Sequence, residues 1–186
     1  MRDRRSKLTR NLAVSAVLCA LGAVIMSLGA MIEVLDLTVC AFGSLLMIFA
    51  FIELGSPYTW LIWLVTSAVS ALVFPASTVW LLYFLMFGIS PILKGYIERM
   101  GRPVWILFKL LSGNLLTALG VVAVIFIFKL PIVDLEALPF EISPYVLYPV
   151  LIVALNLCIL LYDRFLTVMA RFYLARLRAR IAKILK

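Results

Sequence analysis

The stretch that decides the fold is Asn11–Ile32, NLAVSAVLCALGAVIMSLGAMI, which contains no charged residue. A run of this length can cross a hydrocarbon core about 30 Å thick as a single helix. The leader Met1–Arg10 in front of it holds five Lys and Arg, whereas Glu33–Asp36 behind it holds only acids as charged residues. Because segments rich in Lys and Arg stay in the cytoplasm, this asymmetry predicts a cytoplasmic N-terminus.

The composition is that of a polytopic membrane protein. The chain is 66% hydrophobic and 14% charged, and its mean hydropathy is +1.17. Soluble domains carry about 25% charged residues. The polar residues are too few to cover a water-soluble domain, so the sequence predicts a multi-pass protein of the cytoplasmic membrane.

Five further apolar runs follow the first. They are Leu37–Ile52, Tyr58–Phe74, a run from Ser77 or Thr78 to about Leu93, Val104–Phe128 and Tyr145–Tyr162. We therefore predict an all-α fold: a leader over residues 1–10, six transmembrane helices over 11–163 and a tail over 164–186. Six crossings place both termini in the cytoplasm, whereas five would put the basic tail outside, against the positive-inside rule.

The tail is predicted to be a basic amphipathic helix on the inner leaflet. Its apolar residues recur at helical spacing, and basic residues fall between them. Arg171, Arg178 and Lys183 are the candidates for contact with lipid phosphates or with a cytosolic partner. The net charge of +8 is concentrated at the termini and in one central connection, which favours membrane lipid over nucleic acid as the partner.

The first helix also carries a family resemblance. The pattern Ala16-Val-Leu-Cys-Ala20, the following Leu35-Asp36-Leu37 and the six short helices resemble the substrate-binding S-components of energy-coupling-factor (ECF) transporters. The resemblance implies capture of a vitamin- or metabolite-class small molecule at the outer face, docking of helix one to a coupling transmembrane subunit, and separate ATPase subunits. The segment Phe87–Lys94 also resembles small uncharacterised Gram-positive membrane proteins. No motif of the vitamin binders is present, and the tail is not typical of S-components, so the ligand stays open.

Small residues line one side of the first helix. They are Ala13, Ala16, Ala20 and Ala23. Small side chains let another helix approach the backbone closely, either a partner subunit or another helix of the same bundle. The sequence leaves both interpretations open.

Candidate ligand contacts cluster toward the outer half of the predicted bundle. Glu33 and Asp36 either bind a cationic or hydroxyl-bearing ligand or are solvated loop acids. Trp80, Tyr83 and Tyr148 either stack on a planar ligand or belong to packing and the interfacial aromatic belt.

Two amides lie deep within predicted crossings. A buried amide in lipid needs a hydrogen-bond partner. Asn156 therefore either contacts a ligand in a midplane cavity or bonds Asn114 or a neighbouring backbone group.

An enzyme is not expected. The chain has no His, no Gly-rich phosphate loop and no GxSxG motif. Its three cysteines are isolated, so neither a metal site nor a cofactor is predicted.

Lys94, Glu98 and Arg102 follow i, i+4 spacing, which predicts a solvated charge ladder. The alternative to a binding subunit is a non-catalytic membrane scaffold or assembly factor that acts through its basic tail.

Overall fold

The computed structural model describes residues 2–98, 102–129 and 144–178. In this part of the chain the structure is helical, without strands, and six helical segments are long and apolar enough to cross a membrane. The predicted all-α, multi-pass architecture is confirmed to that extent.

The crossings follow one another along the chain with short connections. The first three are α1 (Arg2–Met31), α2 (Asp36–Glu53) and α3 (Ser56–Val73). The fourth combines α4 (Val79–Leu82), a π-helical turn (Tyr83–Phe87) and α5 (Ile89–Ile97). The last two are α6 (Arg102–Phe128) and α7 (Pro144–Phe172). Helices α2, α5 and α7 finish at the same end of the bundle, which we call the basic end. The opposite end is called the acidic end.

The wide turn in the fourth crossing ends at Phe87, one helical turn before Pro91. Gly88 N–H donates to the carbonyl of Tyr83, five residues back, at 2.7 Å. Pro91 has no N–H to donate to the carbonyl of Phe87 and its ring crowds the preceding turn, and the wider turn accommodates both effects before α5 continues.

Helix α1 packs on α2 and α3 through a face that contains two glycines. A Cβ atom on Gly22 would lie 2.9 Å from Cγ2 of Thr66, and one on Gly29 would lie 2.8 Å from Cγ1 of Val39. Distances this short leave no room for a side chain. The close approach within the bundle therefore depends on these glycines.

The alanine side of α1 is turned away from that packing. Ala13, Ala16 and Ala20 are exposed, and Ala23 is half-buried. The structure therefore does not place Ala13, Ala16 and Ala20 in the packing inside the bundle, which was one of the two interpretations of these residues.

The core lies among α1 to α5, and its buried members include Met26, Met47, Ile62, Tyr83 and Ile92. In the apolar 18-residue stretch of each crossing, 28–39% of the residues are buried in the first four crossings, but only 6% are buried in α6 and in α7. The bundle thus consists of a packed four-crossing core with two more loosely attached helices.

Helix α7 passes through the expected boundary between crossing and tail without a break. It runs through Asp163 and Arg164 to Phe172 and continues as a π-helical turn, Tyr173–Leu177. Packing against α2 explains this continuity, because the buried Tyr173 donates a hydrogen bond to Oε1 of Glu53 at 3.0 Å. The remainder of the predicted amphipathic helix, residues 179–186, lies outside the described residues.

Candidate functional site

A cluster of four charged residues ties three helices together at the basic end. Lys94 on α5 and Lys109 on α6 are each only 8% exposed. Asp163 comes from α7, and Glu98 directly follows α5. Ionisable groups within membrane-spanning helices are costly, and they commonly mark functional sites.

Lys94 is surrounded by oxygen acceptors. Its Nζ lies 2.5 Å from Oδ1 and 3.2 Å from the carbonyl oxygen of Asp163. It also lies 2.8 Å from Oγ1 of Thr167 and 2.8 Å from Oε1 of Glu98. An ammonium group has three donors, so these acceptors fully occupy it.

Lys109 approaches the same two acids from the other side. Its Nζ lies 2.8 Å from Oδ2 of Asp163 and 2.9 Å from Oε1 of Glu98. Asp163 therefore gives one carboxylate oxygen to each lysine, and Glu98 shares one oxygen between them. Two positive and two negative charges balance, which offsets the cost of removing them from water.

Glu98 is the most exposed member of the cluster, with 40% of its side chain accessible. Burial by itself raises the pKa of this carboxyl group. Hydrogen bonds from Lys94 and Lys109 outweigh that effect, so the pKa of Glu98 falls below its ordinary value.

The expected charge ladder is corrected by this geometry. Lys94 does not extend into solvent, because its ammonium group is buried between α5 and α7. Glu98 does pair with Lys94 at i, i+4 spacing. The side chain of Arg102 lies outside the described residues.

A cavity of about 300 Å³ lies beside the cluster, between α2, the fourth crossing, α6 and α7. A second cavity of about 50 Å³ reaches the charged side chains themselves. The two share five wall residues: Ser90, Gly113, Leu116, Ile159 and Tyr162. The charged cluster therefore lies at the basic-end side of the larger cavity, and we call it the charged floor.

The walls of the larger cavity are mainly apolar. The Ser90 hydroxyl donates to the carbonyl of Met86 at 2.5 Å, and the Thr117 hydroxyl donates to the carbonyl of Gly113 at 2.9 Å. Both donors are thus used within their own helices. Tyr162 packs its ring edge-on against Phe87, with the centroids 5.1 Å apart.

The predicted outer residues do not converge on this cavity. Asp36, Trp80, Tyr83 and Asn156 are absent from its described lining. Tyr83 is buried in the core at 1% exposure, and Trp80 donates to the carbonyl of Pro75 at 3.2 Å.

Of the predicted ligand contacts Glu33, Asp36 and Tyr148, the structure describes the side chain of Asp36. Asp36 accepts a hydrogen bond from Thr78 at 3.2 Å, which joins the starts of α2 and α4. The side chains of Glu33 and Tyr148 lie outside the described residues.

The two intramembrane amides bond each other, as one of the sequence interpretations expected. Asn114 Nδ2 donates to Oδ1 of Asn156 at 2.8 Å, and this bond joins α6 to α7. Asn156 Nδ2 in turn donates to the carbonyl of Ile152 at 2.9 Å.

The residues predicted to contact lipid or a partner are Arg171, Arg178 and Lys183, and the structure describes the first two. Arg171 is exposed, whereas Arg178 lies with its Nε 3.2 Å from Oε1 of Glu53. Lys183 lies outside the described residues. Glu53, whose role the sequence left open, thus bonds both Tyr173 and Arg178.

Sequence reasoning missed the partnership of Lys109 with Asp163. A signal existed, because Lys109 is the only charged residue of Val104–Phe128 and Asp163 directly follows the uncharged run Tyr145–Tyr162. The positive-inside rule gave Lys109 a sufficient explanation of its own, so its partner was not sought.

Comparison with known protein families, with curated proteins and with solved structures gives no match for this chain. The functional proposal therefore rests on the geometry of its own residues.

Proposed function

We propose that this protein is a membrane-embedded subunit that binds a small molecule in the cavity between α2, α5, α6 and α7. The observation that carries the proposal is the mainly apolar cavity that adjoins the charged floor through five shared wall residues. Ligand sites are typically concave, mainly apolar and about 300–1,000 Å³ in volume. The 300 Å³ of this cavity falls at the lower bound of that range.

The charged floor gives the bundle a closed end. Lys94, Lys109 and Asp163 come from three different helices, and their contacts hold those helices together below the cavity. A ligand in the cavity would reach the basic end only if these ion pairs separated. With the basic end in the cytoplasm, as the positive-inside pattern predicts, such a closure suits a protein that captures its ligand from the outer or membrane side.

We further propose an S-component-like role in an ATP-driven importer of the cytoplasmic membrane. The exposed alanines of α1 support this part, because internal packing uses Gly22 and Gly29 and leaves Ala13, Ala16 and Ala20 at the surface. A coupling transmembrane subunit would dock there. ATP hydrolysis would belong to separate ATPase subunits.

A scaffold or assembly role is the second candidate, and the end of α7 favours it. Arg171 and Arg176 are exposed there, while Tyr173 and Arg178 fix the helix to Glu53. A rigid basic helix at the basic end could bind anionic lipid or a partner protein.

The test is affinity purification from the native host in mild detergent, followed by mass spectrometry of retained proteins and small molecules. The importer proposal expects a coupling subunit, ATPases and a stoichiometric small molecule. Recovery of envelope-assembly proteins without a small molecule would overturn it in favour of the scaffold.

Docking is tested separately with α1 variants. Ala16→Leu and Ala20→Leu should abolish recovery of the coupling subunit, because bulk there prevents close helix approach. The control is Leu21→Phe, which adds bulk at an exposed position on another side of α1. Equal recovery from the alanine variants and the control would contradict docking through this face.

A further inference from the structure

We infer that the ligand of the cavity is an uncharged, apolar small molecule that enters from the bilayer between α2 and α7. This inference rests on the proposed binding function and specifies the chemical class of the ligand.

The cavity walls favour an apolar occupant. Six of the lining side chains are large and hydrophobic: Leu37, Met86, Phe87, Leu116, Leu155 and Ile159. The hydroxyls of Ser90 and Thr117 already donate to backbone carbonyls. The buried Tyr162 hydroxyl has no hydrogen-bond partner among the described residues and is the one wall hydroxyl left to bond a ligand. A charged ligand would therefore lose its hydration here and gain at most this single hydrogen bond.

The charged floor does not offer a binding site for an ionic group. Both oxygens of the Asp163 carboxylate are engaged by lysines, and Lys94 already has more acceptors than donors. A carboxylate or ammonium on the ligand would have to displace one member of a balanced set. The floor therefore acts as a boundary for the ligand.

The cavity opens sideways between α2 and α7. At the basic end α2 contacts the π-helical turn that continues α7, with the rings of Phe49 and Tyr173 5.3 Å apart. Nearer the acidic end, Leu37 on α2 and Cys158 on α7 line the cavity and are both exposed, Leu37 at 63%.

This opening extends from the acidic edge of the crossings, where Leu37 is the second residue of α2, to the depth of the hydrocarbon core at Cys158. Cys158 is fourteen residues beyond Pro144, where α7 begins. At about 1.5 Å per residue, it lies ~21 Å along this helix. A molecule dissolved in the bilayer can reach this opening without passing through water.

The test identifies small molecules that remain with the purified full-length protein. Thr117→Phe places an aromatic ring at the cavity wall, and Ala118→Phe is the matched control at an exposed neighbouring position of α6. After extensive detergent washing, the bound fraction is extracted with organic solvent and analysed by mass spectrometry. We expect a neutral, apolar compound with the wild type and Ala118→Phe, and its loss in Thr117→Phe.

The other outcomes separate a failure of this inference from a failure of the proposed binding function. A charged, water-soluble compound that Thr117→Phe loses would overturn this inference and leave the proposed binding function standing. Membrane phospholipids in bulk proportions would overturn it as well, because the cavity would then hold only surrounding lipid. Complete absence of any bound molecule would contradict the proposed function itself.

The entry route is tested in membranes without any substitution. Thiol labelling is read at Cys158 by peptide mass spectrometry, with membrane-soluble N-ethylmaleimide or a charged sulfonate thiol reagent. Both reagents attack the thiolate, which does not form in hydrocarbon, so we expect labelling by neither in the membrane and by both after denaturation in sodium dodecyl sulfate. Labelling of Cys158 by the charged reagent would show an aqueous opening and overturn entry from the bilayer.

Discussion

Asp163 on α7 and Lys94 on α5 are joined at 2.5 Å between Oδ1 and Nζ, sixty-nine residues apart in the chain. The second oxygen of Asp163 contacts Lys109 on α6. One carboxylate thus fixes three helices at the basic end of a bundle whose last two crossings are otherwise loosely packed.

Asp163→Asn should destabilise the protein strongly, because it removes from two buried ammonium groups the carboxylate that both of them contact. Removing one partner of a buried ion pair costs about 3–5 kcal/mol. The measurement is the Tm of thermal unfolding in detergent, monitored by near-ultraviolet circular dichroism. Asp163→Asn combined with Lys109→Met should recover part of the loss, and an unchanged Tm for Asp163→Asn alone would contradict the assigned role.

Glu98 should make stability depend on pH in the acidic range. The lysines lower its pKa in the folded state, so its contribution is present above the unfolded pKa and is lost as the pH falls through the folded pKa. The Tm difference between the wild type and Glu98→Gln should therefore be largest near neutral pH and disappear in acid. A difference that stays constant across this range would refute the assignment.

Gly22→Leu should lower stability, whereas Ala16→Leu on the same helix should not. A Cβ on Gly22 would meet Thr66 at 2.9 Å, but Ala16 is exposed. Overpacking of a tight contact costs about 1–3 kcal/mol. Thermal unfolding of both variants is the measurement, and equal Tm values would show that the close face of α1 has been misassigned.

The Asn114–Asn156 bond should couple α6 to α7 only modestly. Interhelical hydrogen bonds in membranes average about 0.6 kcal/mol in double-mutant cycles. The cycle uses Asn114→Leu, Asn156→Leu and the double variant, with unfolding free energy as the readout. A coupling energy of zero would contradict the 2.8 Å bond between these side chains.

The six crossings could be predicted because each is a long apolar run, and the sequence carries that information locally. The face that α1 presents to its neighbours could not be predicted in the same way. Both sides of the helix hold small residues, and the choice depends on Thr66 and Val39 from other helices.

The site was predictable only in fragments. The amide pair could be anticipated, since buried amides in lipid need partners and few others were available. The charged floor could not, because Lys94, Lys109 and Asp163 lie near the ends of different runs, and their meeting depends on how three helices assemble. The sequence candidates Trp80 and Tyr83 lie away from the cavity because the fourth crossing directs them to a groove beside α3 and to the core.

The most direct test of the central claim is native mass spectrometry of the intact protein released from detergent. The account predicts a wild-type species that carries one small molecule, a similar species for Ala118→Phe, and an unliganded mass for Thr117→Phe. An unliganded wild type, or equal occupancy in wild type and Thr117→Phe, would contradict binding in the cavity above the Lys94–Asp163 floor.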